Sequence, residues 1–315
     1  MKNILQSIGI VFTLITSFLG LLYYLKGDVL ISGLISSIIV VILYFLIEQF
    51  KKNKSEIRKN RFSVLSIILW TVYVLLSIPI SFFLVHSLNV EINAKNDIKK
   101  IADSKIKSLN AMNTFYETKV EDYLSTLQIE LKTNLTYYTS APKSSQGKIA
   151  KNTLMAAPFN VSENTLKNIN KNNYLSQANN LIKAKSILFN TVLDTLKIEN
   201  ENFNAKYGAT FENWSRLKLN YAFYQLDNIL DNNYKKLKEA FEKNTNTTDA
   251  FDFRYSKDSG LMNKPAELWE KYTPYYLIFV VLLFNALLLL PYFLEPISGV
   301  YIKQTPGNNG GGIEI

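Results

Sequence analysis

Long apolar runs alternate with amphipathic stretches along this chain. Four runs contain almost no charged residue, and each is long enough to form a helix of about twenty residues or more. At about 1.5 Å of rise per residue, such a helix covers the roughly 30 Å hydrocarbon core of a bilayer. Buried helices of water-soluble domains rarely extend so far without charge, so the pattern predicts four transmembrane helices. The runs are Ile4–Leu25, Val29–Phe50, Phe62–Leu88 and Pro274–Leu294.

The first two runs are separated only by Lys26-Gly27-Asp28, which predicts a transmembrane hairpin over residues 1–50. A cleaved signal peptide is the alternative interpretation of the first run. Against it, only Lys2 precedes the run, the apolar segment exceeds the roughly 7–15 residues usual in such peptides, and no small-residue cleavage motif precedes Lys26. We therefore expect an uncleaved membrane anchor.

An amphipathic pattern continues directly from the third run, with no Gly or Pro between Val90 and Tyr138. Its apolar residues recur at steps of three or four, the spacing of a buried helical stripe. One helix is thus predicted to leave the membrane and begin a helical domain, with a bend or break at Asn110 and Asn113. The stripe consists of Ile98, Ala102, Ile106, Leu109, Met112, Tyr116, Val120, Tyr123, Leu127, Leu131, Leu135 and Tyr138.

Two more amphipathic stripes follow, one before and one after Gly208. Residues 139–163 are rich in Ser, Pro and Ala and predict a loop, with a helix entry at Ser162. The stripes, with a short run at 266–272, predict an antiparallel bundle over residues 89–272. An intermolecular coiled coil is the rival interpretation, because heptad-like spacing suits both. The second stripe is Tyr174, Ala178, Leu181, Lys185, Leu188, Val192 and Leu196; the third is Trp214, Leu217, Tyr221, Tyr224, Ile229, Leu230, Tyr234, Leu237 and Phe241.

A net charge of +9 would by itself suggest a nucleic-acid partner, so the positions of the charges decide the interpretation. Residues 89–272 carry 26 basic and 21 acidic side chains, a surplus of only five, so no nucleic-acid partner is expected. A dense basic cluster occupies the short loop 51–61 instead. Short loops rich in Lys and Arg stay in the cytoplasm. The topology-determining residues are Lys51, Lys52, Lys54, Arg58, Lys59 and Arg61.

That loop orients the whole chain. With residues 51–61 inside, helices over 62–88 and 273–295 form the third and fourth spans, and residues 89–272 lie outside the cytoplasmic (inner) membrane. Both termini are then cytoplasmic, and the Gly- and Asn-rich residues 296–315 form a flexible tail. The predicted fold class is an all-α membrane protein: four transmembrane helices with an extracytoplasmic antiparallel helical bundle between the third and fourth.

Small residues recur at every fourth position of the first two spans. In lipid, such residues let helix backbones approach closely, so we expect them to pack the hairpin, with an oligomer seam as the alternative. Asn285, the one strongly polar side chain in the middle of a span, is expected to make an interhelical hydrogen bond. The packing residues are Gly9, Thr13 and Ser17 on the first helix and Gly33 and Ser37 on the second.

Residues capable of chemistry are scarce. The chain has no cysteine and one histidine, His86, which excludes thiolate chemistry and leaves no pair of imidazoles for a metal. No phosphate-binding, dinucleotide-binding, metalloprotease or serine-hydrolase motif occurs. We expect no catalytic residue, no bound metal and no cofactor.

These observations favour a non-enzymatic membrane scaffold or subunit of a cell-envelope complex. Its expected partners are the lipid bilayer, other membrane or envelope proteins, and a second copy of itself. One alternative is a membrane sensor, which would need a separate cytoplasmic partner because the inner loop and the tail are too short to form an enzyme domain. The other alternative is a pore-forming oligomer.

Overall fold

The computed structural model describes residues 2–56, 64–248, 251–257, 262–272 and 275–294, and all regular structure in these residues is helical. The chain divides into two compact units. Unit 1 comprises Met1–Asn96 with Leu261–Ile315, and unit 2 comprises Asp97–Gly260.

Unit 1 contains the most apolar helices. Among the described residues, three helices are long and apolar enough to cross a membrane. The first two lie within α1 (Lys2–Tyr24) and α2 (Val29–Glu56), and the third begins with α3 (Val64–Leu88). The fourth apolar run forms α10 (Leu277–Phe293), whose 17 residues extend about 26 Å, slightly less than a typical hydrocarbon core. The short helix α9 (Pro265–Tyr272) precedes α10 at an angle of 118°.

The core of unit 1 joins α2, α3 and α10. Phe50 of α2 lies at its centre, with ring centroids 4.9 Å from Trp70 of α3 and 5.5 Å from Tyr292 of α10. Ile80 and Leu84 are almost completely buried in the same cluster. α10 therefore packs among the predicted spans and is not a separate surface helix.

Polar contacts connect helix ends of unit 1 near the basic loop. Lys54 Nζ donates hydrogen bonds to the carbonyl oxygens of Tyr292 (2.8 Å) and Phe293 (3.0 Å), at the C-terminus of α10. Gln6 of α1 donates to Glu48 of α2 (2.9 Å). The beginning of α1 and the ends of α2 and α10 thus lie together. Arg58, Lys59, Arg61 and the predicted tail are outside the described residues.

Helical residues follow one another without a gap from Val64 to Ser140. A π-helix over Asn89–Ala94 separates α3 from α4 (Lys95–Ser140). The break predicted at Asn110 and Asn113 is wrong, because α4 continues through both. Asn113 is only 6% exposed and its neighbours Met112 and Tyr116 are core residues, so burial outweighs the weak helix propensity of asparagine.

The core of unit 2 is built on α4, α7 (Tyr174–Glu212) and α8 (Arg216–Thr245). Cross-helix pairs define their directions. Lys197 pairs with Glu117 (2.6 Å) and Gln128 with Asn179 (3.0 Å), so α7 is antiparallel to α4. Lys236 pairs with Glu199 (2.9 Å) and Tyr221 contacts Tyr207, so α8 is antiparallel to α7. The helices thus bury their stripes within one chain.

The predicted stripe of α4 is confirmed, since all of its twelve residues are buried or half-buried. The prediction for α8 is partly wrong: Leu217, Tyr221 and Tyr224 are about half-exposed, whereas Leu219 and Phe223 are buried. The physical reason is the helical period. At about 100° per residue, Leu217 and Tyr221 lie on the face of α8 opposite Leu230 and Leu237, because the predicted stripe steps by five or six residues after Tyr224. Trp214, with φ 51°, lies in the turn between α7 and α8 and is not part of the helix.

Two predictions about the segments between the stripes also need correction. Residues 139–163 contain a helix, α5 (Ser145–Met155), which Ser144 caps by accepting the Gly147 N–H (3.0 Å) and which buries Leu154. The helix entry at Ser162 is confirmed, since its Oγ caps α6 (Glu163–Lys167). Gly208 does not separate helices; it lies inside α7.

Candidate functional site

The small residues of α1 lie where this helix contacts its neighbours. A Cβ added at Gly9 would lie 3.2 Å from Leu288 Cδ2 of α10. Thr13 is fully buried and its hydroxyl donates to Gly9 O (2.7 Å); Ser17 is also fully buried. Gly20 is closer still, because a Cβ there would lie 2.5 Å from the carbonyl oxygen of Phe83 of α3. Absence of a side chain therefore permits contact between α1 and α3.

The small residues of α2 are placed differently. A Cβ at Gly33 would meet the Phe18 ring at 3.9 Å, an ordinary contact distance. Ser37 is exposed, and its hydroxyl donates to Gly33 O (2.7 Å) in its own helix. Ser32 and Ser36 are fully buried. The packing face of α2 therefore includes Ser36. Ser37 lies about 100° around the helix and does not belong to this face.

Asn285 joins α10 to α3. The Tyr73 hydroxyl donates to Asn285 Oδ1 (2.9 Å), and Asn285 Nδ2 donates to Val281 O of its own helix (2.9 Å). A polar side chain in the apolar part of unit 1 thus has partners for both its donor and its acceptor. This is the arrangement of an interhelical hydrogen bond in lipid.

The loop predicted from residue 51 begins later, because Lys51, Lys52 and Lys54 lie in the last turns of α2. Their environments differ. Lys51 pairs with Glu48 (2.8 Å), and the Lys54 ammonium lies 4.9 Å from the centre of the Tyr292 ring besides contacting the end of α10. Lys52 is exposed. A cation beside the C-terminal carbonyls of a helix is favourable because the macrodipole is negative there.

A polar junction surrounds the π-helix in unit 1. The Tyr23 hydroxyl of α1 donates to the Glu91 carboxylate. Asn93 Nδ2 donates to Asn89 Oδ1 (2.7 Å), and the Tyr276 hydroxyl, from the residue before α10, donates to Asn93 Oδ1 (2.9 Å). π-helices are rare and occur frequently at functional sites. Hydrogen bonds from both sides hold this one in its conformation.

His86 lies one turn before the π-helix and is fully buried. Its Nε2 is 2.9 Å from Met262 O, a contact in which the imidazole nitrogen donates, so Nδ1 is left as an acceptor. Phe82 stacks on the imidazole, with ring centroids 6.2 Å apart, and also contacts Trp269 (5.3 Å). The imidazole of His86, which belongs to α3, therefore packs against the segment around α9.

Several buried polar atoms of this junction have no hydrogen-bond partner in the described part of the chain. They are His86 Nδ1, Asn89 Nδ2, Asn263 Oδ1 and Trp269 Nε1. A buried polar group without a partner costs about 1–3 kcal/mol. A change that brought partners to these atoms would recover this cost.

An exposed stripe on α8 is the main surface feature that the sequence did not predict. Leu217, Tyr221 and Tyr224, named here the α8 stripe, are 53%, 45% and 46% exposed and lie at helical spacing on one face. The ring of Tyr207 of α7, which is buried, lies 6.2 Å from that of Tyr221. Tyrosine is enriched in protein–protein interfaces and at their energetic centres. Correct phasing of α8 would have shown this surface.

Acidic side chains of unit 2 form individual contacts with single partners. No group of three or more His, Cys, Asp or Glu side chains able to hold a metal ion occurs among the described residues. Lys105 forms an ion pair with Asp227, and the Tyr255 hydroxyl donates to Asp231 (2.5 Å). Burial and this contact with Asp231 raise the pKa of Tyr255, so its phenol stays protonated.

Two surfaces thus remain as candidate sites, the polar junction of unit 1 and the α8 stripe of unit 2. Comparison with known proteins bears on neither of them. No protein-family model matches this chain, and searches of curated proteins and of solved structures give no match.

Proposed function

We propose that this protein is a non-enzymatic scaffold or subunit of a cell-envelope complex, held in the cytoplasmic membrane by four helices. Residues 89–272 would lie outside the membrane and bind a partner protein there. Both termini would be cytoplasmic, on the side of the basic loop.

The contacts within unit 1 support the four-span arrangement. α10 packs against the core residues of α2 and α3, and Lys54 binds the carbonyl oxygens at its C-terminus. The C-terminus of α10 therefore lies close to the end of α2 and the beginning of α1. This is expected if an even number of spans returns the C-terminus to the side of the N-terminus. An inward position of Lys51, Lys52 and Lys54 agrees with the positive-inside rule.

The α8 stripe carries the proposal of a partner protein. Three large apolar or aromatic side chains on one face of α8 remain about half-exposed, although the opposite face of the same helix is buried. Burying such a surface against a partner would gain about 25 cal/mol per Å² of apolar area. Exposed leucines and tyrosines at helical spacing fit an interface with another helix.

The test is recovery of the native complex. The C-terminally tagged full chain, gently solubilised from its host's membranes, is compared with the variant Tyr221→Ser/Tyr224→Ser by native mass and by identification of co-purifying proteins. We expect loss of a stoichiometric partner from the double variant. Tyr137→Ser is the matched control, since Tyr137 of α4 is equally exposed (47%) but distant in sequence from the stripe.

Two results would contradict the proposal. One is a small homo-oligomer with nothing attached in the unmodified protein. The other is an intact complex after deletion of residues 141–262, which removes α8 entirely.

A membrane sensor is the second candidate, and the polar junction favours it. The π-helix lies between α3 and α4, and the buried Asn89 Nδ2 in it has no hydrogen-bond partner among the described residues. If it is a two-state element, Tyr276→Phe, which removes the hydrogen bond to Asn93, should raise amide hydrogen exchange in residues 86–96 about tenfold. Unchanged exchange in that segment would remove this candidate.

A further inference from the structure

An apolar groove opens between α4 and α7 of unit 2. The residues of the α8 stripe are not among those that line it. Leu127 and Leu131 of α4, both nearly fully buried, are among its lining residues. Phe159 and Val161, from the segment between α5 and α6, form another part of the wall. The groove has a volume of about 230 Å³. It therefore reaches the core cluster that α4 shares with this segment.

Among the described residues that line the groove, Lys185 of α7 is the only one with a polar side chain. It is half-buried, and burial lowers the pKa of its ammonium group. Lys185 has no ion-pair or hydrogen-bond partner among the residues that the structure describes. A cation in apolar surroundings is stabilised by an anion that enters with it, and a charge-assisted hydrogen bond is stronger than a neutral one.

The chemistry of the walls selects among possible occupants. A peptide backbone inside the groove would bring N–H and C=O groups, and walls that offer one polar side chain would leave most of them unpaired at a cost. The Val161 N–H is already donated to Leu154 O (2.8 Å). An alkyl chain requires no hydrogen bonds, and a terminal anion requires one cation.

We propose that the α4–α7 groove binds a free fatty acid of medium chain length, with its alkyl chain against Leu127, Leu131 and Phe159 and its carboxylate on the Lys185 ammonium. The volume is consistent with a chain of limited length. It exceeds the apolar cavity of about 150 Å³ that binds benzene in an engineered protein, and it lies just below the roughly 300 Å³ at which typical ligand pockets begin. This site does not depend on the proposed partner-binding role of the α8 stripe.

The test uses the full chain in nanodiscs of zwitterionic lipid and a decanoic acid that carries a photoreactive diazirine. Labelled peptides are identified by mass spectrometry, and empty nanodiscs measure partitioning into lipid. We expect labelling of peptides that contain residues 127–131 or 181–188. Decanoate should compete about tenfold better than decanol, which has the same alkyl chain and no charge.

Variants of α7 make the test specific. Lys185→Met keeps the apolar stem and should weaken competition by decanoate about tenfold, whereas Lys185→Arg should retain it. Lys183→Met is the matched control, because Lys183 is exposed on the same helix and does not line the groove. Ala184→Trp places a large side chain at an exposed lining position and should abolish labelling. Circular dichroism of each variant establishes that the helices are retained.

Several outcomes would overturn the proposal. Equal competition by decanoate and decanol, unchanged in Lys185→Met, would mean that Lys185 recognises no anion. Labelling confined to α1, α2, α3 and α10 would mean that the probe only enters the lipid around unit 1. If peptides that contain residues 127–131 or 181–188 are still labelled in Ala184→Trp, the probe binds elsewhere on this surface and not in the groove.

Discussion

Lys105 and Asp227 form a charged pair inside unit 2, 122 positions apart in the chain. Lys105 is only 2% exposed, and its ammonium also lies 5.8 Å from the Phe223 ring; Asp227 is 32% exposed. Burial raises the pKa of Asp227, although the hydrogen bond from Lys105 acts in the opposite direction. Taking two charges out of water generally offsets most of their attraction, so we expect the pair to add little net stability.

Removing one partner should nevertheless destabilise the fold. Asp227→Asn leaves a fully buried ammonium without an anion and should cost about 3 kcal/mol of unfolding free energy. Lys105→Met should cost less, because the Asp227 carboxylate that remains is partly hydrated. Thermal unfolding of the full chain in detergent, followed by circular dichroism, measures the order of the two variants.

The double variant Lys105→Met/Asp227→Leu is the control. With both charges replaced by apolar side chains of similar size, most of the lost stability should return. A double variant less stable than Asp227→Asn would contradict the assignment of the cost to an unpaired buried charge.

At the scale of the helices, close approach depends on single glycines. The backbone of Phe83 in α3 occupies the space that a side chain at Gly20 of α1 would need, whereas the space at Gly33 of α2 is open up to the Phe18 ring. Gly20→Ala should therefore push α1 away from α3 and destabilise the protein by about 1–3 kcal/mol. Gly33→Ala should be close to neutral. Thermal unfolding in detergent compares them, and equal effects would contradict a special contact at Gly20.

The packing of α10 on α1 can be tested with disulfides, because the natural chain has no cysteine. A Cβ at Gly9 would lie 4.0 Å from Leu288 Cα, so cysteine side chains at these two positions would be neighbours. Gly9→Cys/Leu288→Cys should cross-link on mild oxidation in membranes, as detected by protease cleavage and gel mobility. Gly9→Cys/Leu287→Cys is the control, since Leu287 is 40% exposed and lies about 100° around the helix. Preferential cross-linking of this control would place α10 differently.

At the scale of the whole molecule, the decisive property is topology. Single cysteines introduced at the exposed positions Ser145 and Lys52 report on the two sides of the membrane. In intact cells, or in spheroplasts if an outer membrane is present, a membrane-impermeant maleimide should label Ser145→Cys and should reach Lys52→Cys only after permeabilisation. The reverse pattern would invert the topology, and labelling of both without permeabilisation would exclude a span between them.

The sequence by itself determined the features that depend on local order along the chain. Apolar run lengths indicated α1, α2 and α3, and the steps of three and four located the buried face of α4 through Tyr116 and Leu127. The capping sequence at Ser162 located the start of α6. These signals are local because a helix satisfies its backbone hydrogen bonds within four residues and repeats its faces every 3.6 residues.

Only the tertiary structure decided which residues distant in the chain contact each other and which face of a helix is buried. Leu217 and Tyr221 share one face of α8, Leu230 and Leu237 share the opposite face, and only packing within unit 2 decided which of the two faces is buried. The π-helix at Asn89–Ala94, the pair Lys105–Asp227 and the groove at Lys185 likewise depend on neighbours distant in the chain. Helical spacing identifies residues that share a face, but burial of that face depends on the elements that pack against it.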